Sequence, residues 1–255
     1  FKNCQDSITA FIRQPDTLTV TLNEIPVSCF GGNDGRAIAT VAGGTIGYNY
    51  NWSVPQSTDT ISNLTIGSYQ LTVSDTNNCL ATGNITVTEP TILAATLLQV
   101  PTSCYQGNDG TATAIVTGGT PDGTGNYTYS WANGAFISDS VLTNVVAGTY
   151  NVYIQDANGC ARIDSMIVNT PPEFLANLTI TQPDCNGFNN GTATASPSGG
   201  TIGYLLNWST GSTFNTITGL VAGFYQITVT DAKKCFCHVD YLDFSTCFWK
   251  VFSRF

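Results

Sequence analysis

The chain has 255 residues, enough for one large domain or two to three small ones. Only 10% of its residues are charged, and its net charge of −9 comes from a scarcity of Lys and Arg rather than from an acidic run. That balance excludes nucleic acid, whose phosphates demand basic surface, and no apolar run approaches the roughly 18–20 residues of a membrane span.

Residues 1–15 read as the last strand of an incomplete preceding module. Cys4 is followed by Pro15 at the spacing that also separates Cys79 from Pro90 and Cys160 from Pro171. Ala10 and Ile12 alternate there as Ile85 and Val87 do later. Because Phe1 opens in mid-pattern, the sequence reads as a processed product or a piece of a longer protein.

A full repeat occupies residues 16–90. A strand over Leu18–Leu22 runs toward Cys29, and the turn GGNDG (Gly31–Gly35) leads into Ala37–Val41. The triplet GGT (Gly43–Thr45) breaks that strand, and Tyr48, Tyr50 and Trp52 share one face of the next. After Ile61 and Leu64 comes the most regular stretch, LTIGSYQLTVSD (Leu64–Asp75). It returns as VVAGTYNVYIQD (Val145–Asp156) and LVAGFYQITVTD (Leu220–Asp231). Tyr69, Leu71 and Val73 fall on one face, Gln70, Thr72 and Ser74 on the other, which is the period of a half-buried strand. The second repeat spans 91–171 and the third 172–235. They carry GNDG (Gly107–Gly110) and FNNG (Phe188–Gly191), GGT at Gly118 and Gly199, and the third-strand residues Trp131 and Trp208. Residues 236–255 form a divergent aromatic tail, read either as a divergent closing strand with an aromatic anchor or as the product of an altered reading frame.

Short strands with turn signals every 8–12 residues predict about seven strands per repeat and no helix. The expected fold is all-β: tandem immunoglobulin-like β-sandwich modules in a head-to-tail array. Trp52, Trp131 and Trp208 then occupy the core tryptophan position of the third strand. Tyr69, Tyr150 and Tyr225 sit where a tyrosine corner bonds its hydroxyl to backbone.

The run C-x-G-N-D-G, GGT, Y-x-Y-x-W, L-x-x-G-x-Y-x-V-x-V-x-D and N-G-C resembles the SprB repeat of large surface adhesins of Bacteroidetes, including gliding-motility adhesins. The resemblance covers nearly everything from Phe1 to Cys235. It implies export by the type IX system and an extracellular location. It also implies O-glycans on Asp-Ser/Thr-apolar patterns, which here would fall on Ser7, Thr17, Thr60, Ser140 and Ser165. The N-x-S/T sequons at Asn51 and Asn177 read as composition.

The nine cysteines, at repeat-locked positions, imply an oxidising setting, and their odd count leaves at least one free or paired outside the chain. A six-residue strand spans about 20 Å, whereas a disulfide needs Cα atoms within about 7 Å. First-turn and last-turn cysteines of one sandwich therefore lie too far apart. Staggered pairing, Cys29–Cys160 and Cys104–Cys235, fits the topology. The alternative, Cys29–Cys79, Cys104–Cys160 and Cys185–Cys235, requires a strand order that brings the two ends together.

The same topology faces the first turn of one module toward the last turn of the next. This makes Asp34 with Asp156, and Asp109 with Asp231, candidates for calcium, which needs six to eight oxygens at about 2.3–2.6 Å. The competing reading of these turns is backbone chemistry alone. A zinc ion at Cys235, Cys237, His238 and Cys247 is a further, loosely spaced candidate. No other cofactor is expected. Catalysis has no support, because one His cannot serve three modules and no nucleophile sits in an elbow such as G-x-S-x-G.

The expected function is a non-enzymatic extracellular repeat protein, an adhesin stalk or filament. Its partners would be neighbouring repeats or identical subunits joined by strand donation or disulfides. The alternatives are a polysaccharide-binding module, for which exposed Phe136 and Phe188 would be the signs, or an accessory segment of a secreted hydrolase.

Overall fold

The computed structural model describes residues 8–131, 139–184 and 188–243, with side chains described through Val239. Among the described residues there is no helix, and so none long and apolar enough to cross a membrane. The first repeat folds into β1 (Thr19–Ile25), β2 (Gly35–Ala42), β3 (Asn49–Trp52), β4 (Thr60–Leu64), β5 (Gly67–Ser74) and β6 (Leu80–Val87). The second supplies β7 (Ala94–Val100), β8 (Gly110–Thr117), β9 (Thr128–Trp131), β10 (Val141–Val145), β11 (Gly148–Gln155) and β12 (Ala161–Val168). The third supplies β13 (Leu178–Thr181), β14 (Gly191–Ala195), β15 (Leu205–Trp208), β16 (Thr216–Leu220), β17 (Phe224–Thr230) and β18 (Phe236–Asp243).

Each repeat builds two three-stranded antiparallel sheets of the same order. In the first repeat these are β1-β2-β4 and β3-β5-β6. This is the immunoglobulin-like division of strands between two sheets. Among the described residues the count is six strands per repeat, not about seven, and no edge strand follows the third in the first and third repeats. In the first repeat the missing strand's place is taken by residues 53–59, where Pro55 cannot donate to a ladder. That loop instead folds back, and Trp52 Nε1 donates to the Thr58 carbonyl at 2.9 Å, as Trp208 Nε1 does to Phe214.

Alternation places the core. Leu71 and Val73 of β5 are fully buried, while Gln70 faces solvent. They pack with Ala37, Ile61, Val87 and Trp52. In the third repeat Trp208, Ile217, Ile227, Val229 and Val239 do the same. Burying a Trp among aliphatic side chains is worth several kcal/mol, and truncating one costs about 3–5 kcal/mol.

Two segments differ from the sequence reading. Residues 8–15 do not form a strand: Ile8, Phe11 and Ile12 are exposed and pair with nothing among the described residues. A strand needs a neighbouring ladder, and no strand of the three sandwiches offers one here. At the other end the third repeat does not stop at Cys235. β18 pairs with β17, with Val229 opposite Cys237 and Thr228 opposite His238. Cys237 and Val239 face the core, so period two persists through residues whose letters disguise it.

The described chain forms two compact units. One gathers residues through Ala94 with Val116–Tyr127 and Ile154–Arg162. The other takes Ala95–Ile115, Thr128–Tyr153 and residues from Ile163 onward.

Candidate functional site

The most repetitive chemistry lies in the turn between the last two strands of each repeat. In the first repeat Asp75 is buried there. Its Oδ2 accepts from the Thr45 amide at 2.9 Å, and its Oδ1 accepts from the amides of Asn77 (2.9 Å) and Cys79 (2.8 Å). Asp156 is held in the same way by Thr120, Asn158 and Cys160. Asp231 is held by Thr201, Lys233 and Cys235. Each carboxylate thus ties the GGT triplet to the last turn and fixes the backbone of the cysteine that follows. The Thr45 amide in particular holds the Asp75 carboxyl below the usual carboxylate range.

Glycine is required where the triplet begins. Gly118 has φ +75°, and a Cβ there would run into the Ile92 carbonyl; Gly43 and Gly199 have the same constraint against Thr17 and Glu173. A tyrosine locks the same corner. Tyr48, Tyr127 and Tyr204 donate to the carbonyls of Gly43, Gly118 and Gly199 at 2.7–2.8 Å. The second tyrosine set makes the corner described above. Tyr69, Tyr150 and Tyr225 donate to the carbonyls of Thr65, Val146 and Val221, four residues upstream.

The first turn of each repeat is clamped separately. Asp34 Oδ1 accepts from the Ser28 amide at 2.9 Å and Asp109 Oδ1 from the Ser103 amide at 2.8 Å. Asn190 takes this role in the third repeat, accepting from Asp184. Ser28 and Ser103 hold the Asp34 and Asp109 carboxyls below their ordinary values.

Two cystines join a first turn to a last turn. Cys29 is bonded to Cys160 and Cys104 to Cys235, with Cα atoms 5.6 and 5.7 Å apart. The first lies within one compact unit and the second within the other. Around the first, Asn158 Nδ2 donates to the Ser28 carbonyl at 3.0 Å, and Cys160 Sγ lies 3.3 Å from the same oxygen. Around the second, Cys235 Sγ lies 3.4 Å from the Ser103 carbonyl. The within-repeat alternatives Cys29–Cys79 and Cys104–Cys160 are not formed. Cys185–Cys235 is not formed either, since Cys235 is taken; Cys185 itself lies outside the described residues, as do Cys4 and Cys247. Beside the first cystine a cleft is lined by Phe30, Ile92, Leu93 and Arg162. Beside the second, Tyr105, Phe174 and Phe236 line its counterpart.

The expected metal sites do not fit these partners. A calcium ion at Asp34 with Asp156, or Asp109 with Asp231, would need carboxylate oxygens turned toward it. Both oxygens of Asp156 and of Asp231, and the Oδ1 of Asp34 and of Asp109, already accept backbone N–H groups, whose positive ends would face the cation. Zinc at Cys235, Cys237, His238 and Cys247 fails because Cys235 is in a disulfide, and the His238 ring nitrogen Nδ1 is paired with the Thr228 hydroxyl at 2.7 Å. Among the described residues no three His, Cys, Asp or Glu side chains gather as a metal site. Of the glycosylation candidates, Thr17 and Ser165 are exposed, Thr60 and Ser140 are half-buried, and Ser7 lies outside the described residues. Phe136 also lies outside them, and Phe188 is exposed.

The carboxylate cage went unread in the sequence. Its signal was present, since every GGT is followed by a D-x-x-x-C in the last turn of the same repeat.

A family model of the SprB repeat matches residues 23–57, 96–136 and 177–213. Comparison with curated protein sequences found no match. Among solved structures, the chain is similar to the three N-terminal domains of the Hoc outer capsid protein of bacteriophage RB49 (14% identity, TM-score 0.45, 89% of this chain and 94% of that one). It is also similar to titin domains I67–I69 in an E-to-A variant (13%, 0.36, 84% and 94%). Invasin, a bacterial integrin-binding protein, is similar at 19% identity and TM-score 0.31, over 84% of this chain and 57% of that one. The family model falls once on each sandwich, over the third-strand Trp and the clamped first turn, so that the chain carries three segments that match the SprB repeat.

Proposed function

We propose that this chain is a segment of a non-enzymatic extracellular protein, an adhesin stalk or filament whose repeats supply length and resist tension. The observation that carries this reading is the pairing of a first turn with the last turn of the following repeat, made twice with the same local geometry. A link of that kind runs parallel to the polypeptide and bears load when the intervening strands are pulled. Closing so long a loop contributes about 2–4 kcal/mol, a large part of a small module's stability. The cystines also fit an oxidising, extracellular setting. Exposed Thr17 and Ser165 are accessible to O-glycosylation, and glycans there would suit a surface protein.

The test is a non-reducing peptide map of native material by mass spectrometry. Peptides joining Cys29 to Cys160 and Cys104 to Cys235 are expected, with added hexose mass on peptides carrying Thr17 or Ser165. Native cystines confined to single repeats would remove the load-bearing reading. A second reading, polysaccharide binding, is supported by Phe30 and Tyr105. These aromatics directly follow Cys29 and Cys104 and line the two equivalent clefts. Retention of the chain on an immobilised polysaccharide, lost in the Phe30→Ala, Tyr105→Ala double variant, would favour it.

A further inference from the structure

We infer that the cleft beside the second cystine is a subsite for one neutral hexopyranose unit of a polysaccharide, stacked on Tyr105 and Phe236. The inference rests on the polysaccharide reading and deepens it, because it confines the site to the second of the two equivalent clefts and names the class of sugar.

The two clefts share a frame but not a lining. Tyr105 and Phe30 each follow a first-turn cysteine, and Phe236 and Ala161 each follow a last-turn cysteine. Phe174 and Leu93 are the buried lining residues, and a Cβ on Gly200 or Gly119 would meet the one or the other. The second cleft therefore has three aromatic rings, at Tyr105, Phe174 and Phe236, where the first has Phe30 alone. It also has Lys234 and Glu173 where the first has Gly159 and Ile92.

The floor of the second cleft is set in advance. The Tyr204 hydroxyl donates to the Gly199 carbonyl at 2.7 Å, and its ring stacks on Phe174 with centroids 5.6 Å apart and planes 15° from parallel. Phe174 is thereby held at 9% exposure, while Tyr105 is 37% and Phe236 74% exposed. Rings left in water at the mouth of a cleft recover hydrophobic free energy when something stacks on them. Lys234 is a second sign. It has φ +66°, where the first cleft has Gly159 at +86°. Glycine adopts that conformation freely, whereas lysine is strained in it. A strained residue with a long polar side chain, lining a cleft, points to a function for that side chain.

The chemistry of the lining selects the occupant. Aromatic faces stack on the C–H faces of a pyranose ring without demanding charge. Glu173 can accept from sugar hydroxyls, Lys234 can donate to them, and the Tyr105 hydroxyl can do either. One cation and one carboxylate balance, and the chain as a whole carries −9, which disfavours an anionic polymer. The cleft holds about 250 Å³, just under the roughly 300–1,000 Å³ of sites for drug-sized ligands, and so has room for one sugar ring.

The test adds cellohexaose, mannohexaose or galactohexaose to the isotope-labelled full chain, with its two internal cystines intact, and follows the backbone amide signals. Saturable shifts clustered at Tyr105, Glu173, Lys234 and Phe236 are expected with at least one of the three. Tyr105→Ala and Phe236→Ala should each weaken that binding about tenfold and keep the far-UV spectrum of the parent. Phe30→Ala, at the other cleft, should leave it unchanged. Lys234→Gly separates binding from folding: it should bind more weakly yet melt no lower than the parent, because glycine relieves the strain. Undiminished binding in Phe236→Ala or Lys234→Gly, shifts confined to the cleft of Phe30 and Arg162, or saturation by oligogalacturonate alone would overturn the subsite while leaving polysaccharide binding in place. No saturable shift with any of these oligosaccharides would overturn both.

Discussion

At the scale of residues, the buried aspartates carry more of this protein than its aromatic signature suggests. Asp231 is 2% exposed and accepts three backbone N–H groups. Replacing it with Asn would turn a donor amide toward at least one of those N–H groups. Leaving a buried donor unmatched costs about 1–3 kcal/mol. We expect Asp231→Asn to destabilise by about 3 kcal/mol in urea unfolding, with a midpoint shift that added calcium does not restore. The parent chain should melt at the same temperature in calcium and in chelator, because each of its candidate carboxylates is already engaged by backbone N–H groups. A rise of several degrees with calcium would contradict the cage. Acid should act on Asp75 of the cage and on three exposed turn aspartates. Asp34, Asp75, Asp109 and Asp122 are all held below the ordinary carboxyl value by N–H and O–H donors. A depressed folded value means stabilisation that is complete above the unfolded value, near about 4, and lost as pH falls through the folded one. Unfolding midpoints should therefore be flat from neutral pH to about 5 and fall below about 4. Asp75→Asn should flatten part of that fall.

At the scale of elements, the strands were legible because period two survives almost everywhere. Trp52 and Leu71, opposite one another across β3 and β5, could be placed inward from letters alone. The staggered cystine followed from two lengths, the span of a strand and the reach of a disulfide, once the sandwich was granted. What escaped was contact between distant turns. Nothing in the separate motifs GGT and N-G-C announces that Thr45 and Asp75, thirty residues apart, share a hydrogen bond. The end strand β18 was one of two readings left open for the tail, for a different reason. Cys237 and His238 break the apolar alphabet without breaking the alternation. The missing edge strand was overcounted because turn signals mark loops but not which loops hide a strand. The GGT corner offers the sharpest test at this scale. Gly118→Ala would place a methyl group against the Ile92 carbonyl at a φ of +75°. Strain of that kind costs about 1–3 kcal/mol, before any displacement of β7 is counted. The same change at Gly123, which meets nothing within 4 Å, should be near neutral. Equal effects at the two sites would remove the argument.

At the scale of the whole molecule, the covalent topology makes a prediction that does not depend on how the repeats are oriented. Each cystine spans 131 residues, and the two loops overlap between Cys104 and Cys160. Pulled taut from its termini with both bonds present, the chain takes its shortest covalent route: across Cys29–Cys160, back along the shared segment to Cys104, and across Cys104–Cys235. Breaking either bond leaves the other as a shortcut that still hides 131 residues, and lengthens the route by only about 70 Å at about 3.5 Å per extended residue. Loss of the second bond releases those 131 residues, roughly 460 Å. Single-molecule extension of Cys160→Ser and of Cys235→Ser should therefore end at one common contour length, about 70 Å beyond that of the oxidised chain. The double variant, or the chain in dithiothreitol, should end roughly 460 Å beyond the single variants. Cystines confined to single repeats would behave otherwise, each releasing its own increment independently of the rest. A common length for the single variants followed by one large gain would mean that either bond alone protects the array from overextension. Such redundancy would suit a tension-bearing surface protein exposed to intermittent reduction.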